Sequence, residues 1–521
     1  MNSEQVKRNL WRGTASNYVR VGVRMFLGLV TFRLLYQGLG TEEFGFWSLL
    51  WSVFGYGILL DFGFGYAAQK RVAELSVRKD WTTLSQVLST IFFFYFLGAA
   101  VLVLLAVVCS GPLLNLFNVS PANREAFRLA MLVFIAGMGL ALPMGIFPEV
   151  LRGQQRIDAA NNIAMAGMLA NFVCMALAVW LHWPFLVIIV LALLCVLGPD
   201  AAAMGMALRH MPGVRIGWSH FSRRQIVETS RFSIYAYLNM LSNVLRNKTD
   251  QVVISSMLSV QAVTPYQAGG KVGDMFNMLT RQLSDAISPA AATLHARGDR
   301  AALRDVLLKG MRFSVMTATP LYFVSAFYLE GLVRLLTGDR HPSAATLWVG
   351  QLMLFWYYSL AITHLIFKRM YMMAGQERRM MFQGVAEAGL NVALSIAATW
   401  WLRSIVGVAI GSVIPTLLFG WGLLWPWAAK EAGLSPWMLF QRIVLKTWVG
   451  SVPMLLLGAV FKLQPWWTSG GNTLLVLMEG AAVLVAGIAG LWRFSLTPEE
   501  RARFQQTFAR RLPVRFQRQA A

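Results

Sequence analysis

Apolar runs of about twenty residues, each bounded by Gly, Pro or basic clusters, recur along this 521-residue chain from end to end. A run of that length lets an α-helix cross the roughly 30 Å hydrocarbon core of a bilayer. Inside lipid every backbone N–H and C=O has to be paired within the protein, so only helices and closed barrels span membranes. A barrel would show short alternating segments, and this chain shows long runs. With 57% hydrophobic and 13% charged residues, it reads as an all-α polytopic membrane protein rather than a soluble one.

Fourteen spans can be placed. They lie near 14–36, 43–67, 84–109, 126–148, 159–180, 184–208, 231–257, 264–292, 306–328, 345–367, 382–401, 405–429, 443–461 and 473–492. The N-terminus, the loops after even-numbered spans and the C-terminal tail hold 29 of the 46 Lys and Arg residues. The opposite loops hold five: Arg124, Arg334, Arg340, Arg403 and Lys462. By the positive-inside rule both termini are expected in the cytoplasm, with the basic loops facing anionic lipid. The net charge of +22 is thus a topological signal and does not call for a nucleic-acid partner. The first span has basic residues ahead of it (Lys7, Arg8, Arg12) but no small-residue cleavage site, which reads as an uncleaved helix.

The chain also repeats itself. A shift of 222 residues lays Asn17 on Asn239, Arg24 on Arg246, Phe44 on Tyr266, and Gly153-Gln154-Gln155-Arg156 on Gly375-Gln376-Glu377-Arg378. Four coincidences at one offset and at matching topological positions indicate a duplicated six-helix unit. Six spans is an even number, so the repeat is parallel, with its axis along the membrane normal. The expected organisation is an N-terminal lobe (1–208), a basic cytoplasmic loop (209–230), a C-terminal lobe (231–429), and two extra helices with a basic tail (430–521).

Charge inside the spans is unevenly placed. An arginine at the centre of a membrane helix costs roughly 2.5–3.5 kcal/mol even on an insertion scale, so Arg20 and Arg24 in span one need an anionic or watery surrounding. At 100° per residue, Asn17, Arg20, Arg24 and Thr31 share one face of about 60°. In span seven Asn239, Asn243, Arg246 and Asp250 follow i, i+4, i+7, i+11, again one face. Lys271, Asp274, Arg281, Gln282 and Asp285 group similarly in span eight, and span two ends on Asp61. A plainer reading stands beside this one: Asp250 with Arg246, or Asp274 with Lys271 or Arg281, as structural ion pairs, and Asp61 as a partner of Lys70 or a helix cap. Arg33 lies on the opposite face near the span's end and is expected to snorkel. Cys109, Cys174 and Cys195 form no CxxC pair and read as small core residues.

No Walker A motif, nucleophile elbow or metal-ligand spacing is present, so no enzyme activity, metal or cofactor is expected. A cationic, asparagine-lined cavity suits an anionic ligand that has to cross. Guanidinium groups bind phosphate oxygens bidentately, and amides can pair with sugar hydroxyls. A lipid diphosphate carrying an oligosaccharide satisfies both.

The segment from Phe32-Arg33-Leu34-Leu35 through Gly40-Thr41-Glu42-Glu43-Phe44-Gly45-Phe46-Trp47, then Leu60-Asp61-Phe62-Gly63-Phe64-Gly65 and Arg71-Val72-Ala73-Glu74, resembles the opening of polysaccharide exporters. These are the O-antigen-type (Wzx-like) flippases of the multidrug/oligosaccharidyl-lipid/polysaccharide (MOP) superfamily. Leu151-Arg152-Gly153-Gln154-Gln155-Arg156 with Asn161-Asn162 resembles their connection between spans four and five, and Asp250, Tyr266 and Lys271 resemble the start of their second lobe. The likeness covers roughly residues 10–430. It implies export of polyprenyl-diphosphate-linked oligosaccharide across a bacterial inner membrane, by alternating access coupled to H+ or Na+, alongside polysaccharide polymerase machinery. It implies diphosphate contact by Arg20, Arg24 and Arg246 with Lys271 and Arg281 assisting, beside Asn17, Asn239 and Asn243. It also implies ion coupling through Asp61, Asp250, Asp274 or Asp285. The last two spans depart from the twelve of many exporters. A lipid II-type flippase, a drug/cation antiporter of the same superfamily, and a membrane polymerase or ligase are the alternatives. The antiporter would want an acidic cavity, and the polymerase a long outer loop.

Overall fold

The computed structural model describes residues 3–55, 64–225, 234–463, 473–496 and 498–502. Asp61 lies outside the described residues, as do the side chains of Asn17, Asn239 and Asp285. Every regular element among the described residues is helical. In chain order these are α1 (Ser3–Gly38), α2 (Thr41–Gly55), α3 (Phe64–Arg78), α4 (Trp81–Leu116), α5 (Arg124–Met144), α6 (Phe147–Gly153), α7 (Ile157–Trp180) and α8 (Phe185–Arg209). There follow α9 (Ile234–Met257), α10 (Val263–Ala296), α11 (Arg300–Phe327), α12 (Leu329–Thr337), α13 (Ala344–Thr363), α14 (Leu365–Met373), α15 (Glu377–Leu402) and α16 (Ile405–Glu431). The chain closes with α17 (Pro436–Gly450), α18 (Val452–Lys462) and α19 (Thr473–Gly490).

Eight helical segments among the described residues are long and apolar enough to cross a membrane, and a bent pair, α17 with α18, would make nine. Of the fourteen expected spans, the one near 43–67 runs into residues 56–63, outside the described residues, and four others fall short for a physical reason. Helices α1, α9, α10 and α11 are 36, 24, 34 and 28 residues long, ample for a span, but they carry the charged residues that lower mean hydropathy. The protein is an all-α, multi-pass membrane protein whose polar helices are a distinct set from its apolar ones.

The chain divides into two compact units. Unit 1 comprises Met1–Ala268, Leu336–Gly338 and Met381–Ser412. Within it α1 packs along α7, α4 along α5, and α8 against both α5 and α7. One end is sealed by an apolar cluster including Phe64, Leu84, Leu88, Phe147, Leu151 and Met211. There the segment after α8 is stitched to α4: the Arg215 N–H donates to Ser85 Oγ (3.0 Å), the Gly217 N–H to Ser89 Oγ (3.2 Å), and the Ser222 N–H to Thr90 Oγ1 (3.0 Å). Part of the expected basic loop is thus ordered against a helix.

The opposite end, where α1 stops, is tied by polar groups from several turns. The Glu42 carboxylate accepts from the Ser120 N–H (2.7 Å), Ser120 Oγ (2.8 Å) and Asn123 Nδ2 (2.7 Å). Burial pushes this carboxyl up, but those bonds and one from the Gln261 side chain outweigh it and hold it below the usual range. Asn118 Nδ2 donates to the carbonyls of Ser255 (3.2 Å) and Ser256 (3.0 Å), and Thr264 Oγ1 donates to Thr41 O (2.6 Å). Gly45 allows the contact to close, since a Cβ there would sit 2.1 Å from Val260 O.

Unit 2 comprises Gly269–Leu335, Asp339–Met380 and Val413–Ala521. Its helices α11 and α13 pack together, joined by Ser314 Oγ donating to Ala361 O (2.9 Å) and by the Thr319 and Tyr358 hydroxyls at 2.9 Å. Tyr322 stacks on Tyr358 with ring centroids 4.4 Å apart, and Trp448 Nε1 donates to Tyr358 Oη (2.8 Å). The last helices belong to this unit, with Met454 and Val483 buried against Tyr328.

Candidate functional site

The charged stripe of α9 lies in unit 1, and its arginine is committed. Arg246 Nη1 lies 3.3 Å from Glu387 Oε1 on α15, while Nη2 donates to Asn243 Oδ1 one turn back (3.0 Å). Its Nε is buried with no hydrogen-bond partner among the described residues. The Arg246 side chain is 14% exposed and that of Glu387 1%. Gln383 Nε2 donates to Glu387 Oε2 (2.7 Å), so the carboxylate is held from its own helix as well.

Glu387 is one rung of a ladder. Gln383, Glu387, Asn391, Ser395 and Thr399 recur every fourth residue along α15, and all five are buried. At i, i+4 spacing such residues stand one above another on a helix. Asn391 Nδ2 donates to Ser412 Oγ (3.0 Å) and Gly411 O (3.4 Å), tying the ladder to the start of α16. Gly411 is needed there: a Cβ would lie within 2.4 Å of the Ser395 backbone. This row is legible in the sequence by its spacing, but four of its five members are neutral, whereas spans one, seven and eight carry several charges each.

One turn beyond Arg246, Asp250 is 3% exposed and its Oδ2 accepts from Tyr266 Oη at 2.5 Å. Arg246 takes its carboxylate from α15 instead, which answers the question of where a buried guanidinium on α9 finds a counter-charge. Ser52 of α2 anchors the same helix by donating to Lys248 O (2.6 Å) and Gln251 Oε1 (2.9 Å).

Helix α1 presents its arginines differently. Arg24 is exposed and makes no hydrogen bond or ion pair with the described residues. Arg20 is half-buried, and its charged neighbours are Arg152 and Arg24, which repel it, and Glu149, which attracts it. Glu149 itself is ion-paired to Arg152 one turn along α6. Span one has no acid of its own, and the structure supplies one from α6 together with a further arginine. Arg20, Arg24 and Arg152 thus lie close together with Glu149 among them, a clustering of guanidinium groups that favours an anion.

In unit 2, Asp274 is exposed and accepts from Tyr357 Oη at 2.9 Å; Lys271 is half-buried and Arg281 exposed. Two acids that the sequence reading did not single out also lie in apolar helices. Glu479 of α19 is 7% exposed beside Tyr328. Asp200 is half-buried in α8, with no hydrogen bond or ion pair to the described residues.

With this geometry in place, the comparisons decide the family. A family model described as "Polysaccharide biosynthesis protein" matches residues 34–346, more than half of the chain. The chain belongs to this family. Among solved structures, this polysaccharide biosynthesis protein is similar to the lipid II flippase MurJ in an inward closed conformation, with a TM-score of 0.66 and 14% identity over 92% of this chain and 98% of that one. It is also similar to an inward-facing multidrug resistance transporter of the MATE family, in the MOP superfamily, with a TM-score of 0.64 and 14% identity over 79% of this chain and 94% of that one. A MOP superfamily transporter from Pyrococcus furiosus, whose structure is described by a binding pocket of reverse polarity, matches with a TM-score of 0.53 and 14% identity over 82% of this chain and 96% of that one. At this identity the likeness establishes the fold, that of MOP superfamily transporters. No curated protein matches the sequence.

Proposed function

We propose that this protein is a flippase that moves a polyprenyl-diphosphate-linked oligosaccharide, an O-antigen or exopolysaccharide repeat unit, across the bacterial cytoplasmic membrane by alternating access. The observation that carries the reading is the basic cluster on α1 and α6, where Arg20, Arg24 and Arg152 gather around Glu149, and Arg24 stays exposed without a counter-ion among the described residues. Guanidinium groups engage phosphate oxygens in pairs and tolerate low-dielectric surroundings better than ammonium. A diphosphate headgroup is the membrane-borne anion that fits, and membership in a polysaccharide biosynthesis family supports a saccharide on it. The fold shared with a lipid II flippase supports the same kind of transport.

In this reading Arg20 and Arg24 make the first diphosphate contact, Arg246, Lys271 and Arg281 assist, and Asn17, Asn239 and Asn243 meet the saccharide. Asp61, Asp250, Asp274 and Asp285 are the candidates for coupling to H+ or Na+, and no cofactor or catalytic step is required. The two sequence halves act as lobes that rock about the site. Both termini and the basic loops face the cytoplasm and its anionic lipids, where polysaccharide polymerase and biosynthesis machinery are the natural partners. The test is complementation of a deletion strain: Arg24→Ala, with expression unchanged, is expected to abolish surface glycan, and full complementation overturns the proposal.

A further inference from the structure

We infer that Glu387 is a resident counter-anion of the transport site: it holds Arg246 while the site is empty and yields it to the diphosphate of the cargo. The inference rests on the proposed cargo carrying a diphosphate. Three features of the pair favour exchange over a permanent structural tie.

The contact is one-sided. A guanidinium offers a fork of five N–H groups matched to two oxygens, and a bidentate ion pair would use two of them at about 2.7–2.9 Å. Arg246 gives Glu387 one nitrogen at 3.3 Å, gives Asn243 another at 3.0 Å, and leaves Nε without a partner among the described residues. Donor capacity therefore remains for a second anion. The carboxylate is also anchored independently of the arginine, because Gln383 donates to its other oxygen at 2.7 Å from the same helix. If Arg246 turned to a ligand, Glu387 would stay where Gln383 holds it. Finally, the equivalent position in the first sequence half, Arg24, has no such acid: it is exposed and without an ion pair among the described residues. One arginine of the repeat is open to an anion and the other is reserved.

A reserved arginine lowers the apparent affinity of its ligand in proportion to the time it spends occupied, since the observed Kd is the intrinsic value divided by the competent fraction. Glu387→Gln removes the competing charge and keeps one amide oxygen for Arg246, while Gln383, which donates to the other oxygen in the wild type, can turn its own amide to accept from the new NH2. Gln383 acts as a positioning residue, and Gln383→Leu frees the carboxylate without changing any charge.

The test is calorimetric titration of inorganic pyrophosphate into the purified full-length chain in detergent, with thermal melting of each variant alongside. Glu387→Gln is expected to bind pyrophosphate about tenfold more tightly than the wild type, provided the intact pair leaves Arg246 competent about a tenth of the time. The gain is expected to vanish in an Arg246→Ala background. Unchanged or weaker binding by Glu387→Gln, while Arg24→Ala still loses affinity, overturns the resident-anion role and leaves the diphosphate reading standing. Absence of pyrophosphate binding by every form, wild type included, overturns both. Should Glu387→Gln fail to fold, Gln383→Leu decides the matter: a severalfold change in affinity supports the exchange, and identity with the wild type overturns it.

Discussion

Arg24 and Arg246 occupy equivalent places in the 222-residue repeat, yet unit 1 treats them in opposite ways. Arg24 is exposed on α1 and pairs with no acid among the described residues, whereas Arg246 is nearly buried and bound to Glu387. The neighbourhoods differ accordingly. Arg20 and Arg24 share their field with Arg152 and Glu149, while Arg246 meets Glu387, one of five buried polar side chains in a row along α15. The 222-residue offset thus pairs two cations whose surroundings differ. A charge that has to meet a ligand can be left in reach of water, while one enclosed by helices needs a partner, because an unpaired buried ion is far costlier than a paired one.

The contrast can be broken most forcefully at Arg246. Arg246→Ala leaves Glu387 buried without its cation, and loss of one partner of a buried pair destabilises by roughly 3–5 kcal/mol. The purified variant should melt well below the wild type. A melting temperature equal to the wild type's would mean that Glu387 is neutral in the folded protein. An intermediate effect is expected at the tied end of unit 1, where Glu42 answers three bonds from Ser120 and Asn123. Glu42→Ala removes the acceptor of those donors, and because the site is half-buried, water replaces part of what is lost, so the total cost is expected at about 1–3 kcal/mol. The same residue gives a pH signature. Its folded carboxyl titrates below the ordinary value, so its stabilising contribution is complete above the unfolded pKa of about 4.3 and is lost as pH falls through the lower folded value. Melting followed from pH 6 downward should show this acid-side loss in the wild type and a flatter curve in Glu42→Gln. The smallest stability effect is expected for Arg24→Ala, within about 0.5 kcal/mol as for exposed positions generally, although it is the variant that should abolish export. A large drop in melting temperature for Arg24→Ala would erase the distinction between the open arginine and the reserved one.

What could be read from residues alone follows the physics of each feature. Helical spans announce themselves because lipid permits little else, and Arg20 and Arg24 stand out because a charge in an apolar run is expensive. The structure nevertheless counts fewer apolar spans among the described residues, since the helices that bear the charges fall below the hydropathy of the others. The counter-ion of Arg246 was beyond such reading. Glu387 is 141 residues further on (387 − 246), and sequence proximity favoured Asp250, whose carboxylate meets Tyr266. The ladder from Gln383 to Thr399 was visible as a period of four, but most of its members are neutral, and neutral polar residues in a span draw no attention singly. The knot around Glu42 joins turns near residues 42, 120 and 261, and only the folded chain brings these together. Glu479, buried beside Tyr328 in one of the added helices, shows that those helices carry an ionisable group as well as lipid-facing surface.

The role proposed for Arg24, left open on α1, is to receive a lipid-borne diphosphate. It is tested most directly in liposomes containing the purified protein and a fluorescent polyprenyl-diphosphate oligosaccharide, by following how much of the label becomes accessible to an impermeant quencher. Wild-type protein is predicted to equilibrate the label between leaflets and Arg24→Ala to leave it where it was placed, with both proteins equally folded. Equal rates for the two would contradict the account.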